Sequence, residues 1–107
     1  MKMDSVKRDL DQMAAMFRLL SDKTRLNILM TLCAGERNVT SLCAHLRLPQ
    51  PTISHHLALL RERNVIDDRR QGKQIFYTLS ESIKPAGVCA LEFSVENFLV
   101  RITGRPT

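Results

Sequence analysis

The chain has 107 residues and a mass of 12.2 kDa, enough for one domain whose folding buries about two-thirds of the open chain's surface. Hydrophobic residues at 44% and charged residues at 25% exclude a disordered chain, and no apolar run is long enough to span a bilayer. The net charge of +5 is uneven: residues 1–48 hold eight basic and five acidic side chains, 49–80 five and three, and 81–107 three of each. The first three-quarters can therefore face a polyanion, whereas the tail has no electrostatic reason to. The N-terminal residues lack the apolar core of a secretory signal, so a cytoplasmic protein with no membrane partner is expected.

In chain order, Asp4 or Ser5 is placed to cap a first helix over about 5–20. Its apolar residues Val6, Leu10, Met13, Phe17 and Leu20 fall at steps of 4, 3, 4 and 3, one stripe that a partner helix could cover. Ser21 or Asp22 opens a second helix ending near Gly35. Leu26, Ile28, Leu29, Met30, Leu32 and Cys33 leave it almost no polar face, which predicts a central, buried element. Asn38 can cap a short third helix carrying Val39, Leu42, Cys43 and Leu46. A turn at Leu48-Pro49-Gln50-Pro51 leads into a fourth helix running to about Arg63. There Ile53, Leu57 and Leu60 form the buried stripe, and Thr52, His55, His56 and Leu59 face outward with Ser54 at the edge.

From Val65 the period changes to that of strands: Val65–Arg70 and Gln74–Leu79 flank Gln71-Gly72-Lys73, and Gly72 suits a hairpin tip. Ser82 is placed to cap a last helix over about 82–102. Its apolar residues (Ile83, Val88, Leu91, Val95, Phe98, Leu99, Ile102) are too many for one narrow stripe, so two covered faces are expected. The expected fold is mainly α with a small β-hairpin, in the order α-α-α-α-β-β-α. Within a single domain over 1–107, a helix-turn-helix occupies about 38–63 and a wing about 65–79. Small polar residues at the start of the second helix of such a pair can reach base edges in a major groove. Arg69, Arg70 and Lys73 at the hairpin tip would meet the backbone or minor groove beside it.

These residues resemble the ArsR/SmtB family of winged-helix repressors. Three blocks carry the resemblance, in order and at the family's spacing: Leu20–Leu29 (LSDKTRLNIL), Leu48–Arg61 (LPQPTISHHLALLR) and Arg69–Leu79 (RRQGKQIFYTL). The resemblance implies a homodimer joined through the first and last helices, about 5–20 and 82–102. It would bind a palindromic double-stranded operator and be released by an inducer, with no cofactor needed for binding. It carries groove-reading roles onto Gln50, Thr52, Ser54 and His55, and wing contacts onto Arg69, Arg70 and Lys73. Many relatives have Ser where this chain has Pro49, so the fourth helix loses a side-chain cap.

The family's sensing sites are poorly matched. Where relatives place three thiols on the third helix, this chain has Asn38, Thr40 and Cys43. Residues 82–102 contain no His, and Glu92 with Glu96 make a feeble zinc site. No metal site is assigned, and adjacent His55 and His56 point about 100° apart and cannot share an ion. Cys33, Cys43 and Cys89, with Cys89 foremost, are candidates for a thiol-based or soft-metal switch, weighed against plain burial as small hydrophobes. Two rival classes remain: a winged-helix protein adaptor, whose recognition face should be apolar, and an enzyme using Cys43 and His45. The i, i+2 spacing of that pair on a helix points the two side chains apart.

Overall fold

The computed structural model describes residues 3–85, 90–95 and 98–103. Four helices come first: α1 (Met3–Leu20), α2 (Lys23–Leu32), α3 (Val39–Leu46) and α4 (Gln50–Glu62). A two-residue strand β1 (Arg37–Asn38) precedes α3, and β2 (Ile66–Gln71) and β3 (Gln74–Leu79) follow α4. These make an antiparallel sheet in the order β1-β3-β2. Gly72, at φ 62°, occupies the tip of the β2–β3 wing in a conformation that a side chain rarely tolerates.

Local chemistry sets the helix ends. The Asp22 carboxylate accepts the Arg25 backbone N–H at 3.0 Å and caps α2. Asn38 caps α3 by accepting from the Ser41 N–H at 2.8 Å, and Arg47, in the left-handed region at φ 56°, ends that helix. Helix α4 starts behind Pro49 with no side-chain cap, as the exchange of Ser for Pro leads one to expect. Asp4 and Ser5, the expected caps of the first helix, lie within α1.

The core collects the apolar faces of all these elements. Ile28 and Leu29 of α2, Leu42 of α3, Ile53, Leu57 and Leu60 of α4, and Val65 and Ile66 leading into the wing are fully or almost fully buried. On α1, Leu19 and Leu20 are buried, whereas Leu10 and Phe17 of the expected stripe stay about half exposed.

The expected last helix over 82–102 is not formed. That stretch carries strands β4 (Ile83–Pro85), β5 (Ala90–Val95) and β6 (Phe98–Thr103), a second antiparallel sheet in chain order. The physical reason lies in the alternation. Within β5 Leu91 and Phe93 are buried while Glu92 between them is half-buried and Ser94 is exposed, and in β6 Phe98 and Val100 are half-buried while Leu99 and Arg101 are exposed. Phenylalanine, valine and isoleucine at every second position favour a pleated, half-buried surface over a helix. The surplus of apolar residues was period two, not a second helical face. Phe93 pairs edge-to-face with Phe17 of α1, ring centres 6.4 Å apart, seating the sheet on the first helix. Ser82 caps nothing: its backbone oxygen accepts the Ser94 N–H at 2.9 Å, and its hydroxyl lies 2.8 Å from that of Ser80.

The Asp22 cap makes a test of this packing. The N–H of Arg25 holds the Asp22 carboxyl below its usual pKa, so the stabilisation is complete above the unfolded value of about 3.9 and is lost as pH falls through the folded one. Asp22→Ala should cost about 1 kcal/mol at neutral pH in denaturant unfolding. The gap between the two proteins should close progressively below about pH 4.

Candidate nucleic-acid interface

Helix α4 is held by Ile53, Leu57 and Leu60, and this burial decides what the rest of the helix presents. Gln50, Ser54 and His55 are exposed and Thr52 is half-buried, all within the first two turns. His56 departs from the expected outward face: its side chain is only 14% exposed, with Nδ1 4.0 Å from the Asp22 carboxylate at the start of α2. It therefore lies turned toward the start of α2, and the outward imidazole is that of His55, whose ring meets His56 edge-on at 5.5 Å.

The wing stands beside this surface. Gln50 and Lys73 line one shallow cleft of about 230 Å³ together with Val39, Thr40, Gln74 and Ile75, so the start of α4, the start of α3 and the wing tip adjoin one another. Because strand neighbours alternate, Arg69 and Arg70 lie on opposite faces of the ribbon. Arg70 shares its face with Asp68, which accepts from Arg61 of α4 at 2.8 Å. Arg70 and Lys73 are exposed, and among the described residues neither has an ion pair or a side-chain hydrogen bond.

Arg69 is differently placed. Its Nε donates to Glu36 Oε2 at 2.8 Å, one Nη to Glu36 Oε1 at 2.6 Å, and the other Nη to Gln71 Oε1 at 2.8 Å. Its guanidinium also lies over the Phe76 ring, 5.0 Å from the centroid. The bonds from Arg69 hold the Glu36 carboxyl below the ordinary range and raise the Arg69 guanidinium above its own. Sequence reading missed Glu36 altogether, since 33 residues separate it from Arg69 and no periodicity links them.

The sensing candidates are scattered. Cys33 and Cys43 are half-buried free thiols, and burial pushes the Cys33 thiol up, away from a reactive thiolate. Cys43 lines a hollow of about 360 Å³ with Leu48, Pro49 and Gln50 at the start of α4. Cys89 and Glu96 lie outside the described residues. Glu92, on β5, accepts from Arg101 of β6 at 2.8 Å. Among the described residues no group of three or more His, Cys, Asp or Glu side chains is arranged to hold a metal ion, and no helix is long and apolar enough to cross a membrane.

Comparison with known proteins bears on the same elements. The family model described as bacterial regulatory protein, arsR family, matches residues 22–68, from the Asp22 cap into the wing. The arsenical resistance operon repressor of Escherichia coli K12 is 49% identical over 69 residues, 64% of this chain and 59% of that one; the chain thus matches about three-fifths of that relative's length. Among solved structures, the transcriptional repressor BigR from Xylella fastidiosa superposes with a TM-score of 0.65 at 36% identity, covering 76% of this chain and 83% of that one. The homodimeric winged helix-turn-helix DNA-binding domain Mb0332 from Mycobacterium bovis superposes with a TM-score of 0.66 at 29% identity, covering 74% and 73%.

Proposed function

Because this chain belongs to the arsR family of bacterial regulatory proteins, we propose that it is a DNA-binding transcriptional repressor acting as a homodimer. The observation that carries the reading is the outward row on α4 beside two wing cations, Arg70 and Lys73, that are unpaired among the described residues. Gln50, Thr52, Ser54 and His55 would read base edges in a major groove, and Arg70 and Lys73 would hold the flanking phosphates. Two copies related by a twofold axis would place their α4 helices in successive major grooves about 34–36 Å apart. An adaptor for another protein would want an apolar face here, and this one is polar and basic. Binding itself needs no cofactor.

Several surfaces support the dimer. Leu10 and Phe17 on α1 and Leu99 and Ile102 on β6 are exposed at 53%, 48%, 66% and 39%. The interface would thus join α1 to the C-terminal sheet, in place of the helix expected there. A second reading, release by a thiol-directed signal, is favoured at Cys43, where an adduct in the hollow beside Gln50 would press on the start of α4. Cys33, pushed away from the thiolate, and Cys89, outside the described residues, add nothing to it.

Fluorescence anisotropy with duplex DNA tests both readings. Arg70→Ala should weaken binding to every sequence alike and lower the slope of log affinity against log salt by about 1. Thr52→Ala or His55→Ala should instead relax preference at particular base pairs by about 1–3 kcal/mol; uniform loss would make them backbone contacts. Iodoacetamide should lower duplex affinity in the unmodified protein but not in Cys43→Ser, and equal response of the two would remove the thiol reading.

A further inference from the structure

We propose that Arg69 is a positioning residue for duplex binding and not itself a phosphate contact: it clamps the wing to the segment that enters the helix-turn-helix, and so sets where Arg70 and Lys73 stand relative to α4. The inference rests on the DNA-binding reading above and assigns Arg69 a different role from its neighbour.

All three guanidinium nitrogens already have acceptors. Two of the bonds form a parallel fork onto the Glu36 carboxylate, the arrangement that gives an arginine its geometric specificity. The third goes to Gln71 on the same strand, and the Phe76 ring covers the guanidinium plane. These bonds take three of its five N–H donors and hold the guanidinium plane against the Phe76 ring, and while paired with Glu36 it adds no net positive charge to the wing.

The position of Glu36 gives the clamp its consequence. It stands immediately before β1, in which Arg37 pairs with Tyr77 and Asn38 with Phe76 of β3. On the other side of β3, Phe76 pairs with Arg69 of β2. Glu36, Asn38, Phe76 and Arg69 therefore share one face of the sheet, opposite to the face of Arg70. On that face Asn38 has two tasks: its Oδ1 caps α3, and its Nδ2 donates to Gln74 Oε1 at 2.8 Å. The wing is thus fastened beside the start of α3 at two places, to Asn38 by Gln74 next to the tip and to Glu36 by Arg69 farther along the ribbon. The ribbon cannot swing relative to α3 without breaking one of these contacts. An exposed ion pair adds little to global stability, so the function of the fork is read in the placement of the wing.

The test uses the full chain and a mixed-sequence duplex of about 30 base pairs, long enough for two half-sites one turn apart. Affinity is followed by anisotropy across a salt series for the unmodified protein, Arg69→Ala, Arg70→Ala, and the exchanged pair Glu36→Arg with Arg69→Glu, which keeps the net charge. Arg69→Ala should bind several-fold more weakly at every salt concentration with the slope unchanged, whereas Arg70→Ala should lower the slope by about 1. The exchanged pair should recover most of the affinity that Arg69→Ala loses, with the unmodified slope. If Arg69→Ala lowers the slope as Arg70→Ala does, or if the exchanged pair stays as weak as Arg69→Ala, the clamp role is wrong while the DNA-binding reading stands. An unmodified protein that ignores the duplex even at low salt overturns both.

Discussion

A helix can offer one face to a groove only if the opposite face is anchored, and in this protein the anchor is the stripe Ile53, Leu57 and Leu60. These three side chains have at most 1% of their surface exposed, and each fully buried aliphatic side chain contributes about 1.5–3 kcal/mol to holding the helix. Because they recur at steps of four and three, they fix the rotation of α4 about its axis. Ser54 and His55 then have to point outward, and His56 turns back toward Asp22 at the start of α2. The polar surface of α4 follows from its apolar one.

The wing follows a comparable division. A two-residue period sends Arg69 and Arg70 to opposite faces, so two adjacent arginines of the same type do different things. The Arg69 side joins Glu36, Phe76 and Gln71 into one set of contacts. The Arg70 side is tied to α4 through Asp68 and Arg61 and leaves Arg70 itself unpaired among the described residues. Both faces are built from charge, but only one retains an uncommitted cation for a polyanion. Counting basic residues along the strand would have assigned them equal weight.

Much of this was legible in the sequence because it is local. The α4 stripe, the Asp22 and Asn38 caps, the missing cap at Pro49 and the turn at Gly72 each depend on residues no more than two helical turns apart, and each stands where the spacing put it. The failures are of two kinds. Residues 82–102 carried enough apolar side chains to suit either period; a Ser that could cap and a Pro that could open a helix favoured the wrong one, while the alternation through Leu91, Phe93, Val100 and Ile102 favoured strands. The long-range contacts, Glu36 with Arg69 and Asp22 with His56, join elements far apart in the chain, and only the assembled sheet and helix packing bring them together.

The central claim is that α4 faces outward in two symmetry-related copies and reads duplex DNA. Selection of bound duplexes from a random-sequence pool, followed by sequencing, tests it most directly. The account predicts an imperfect palindrome whose half-sites are centred about 10–10.5 base pairs, one helical turn, apart. Enrichment of a single asymmetric site, or no enrichment over the starting pool, would contradict it.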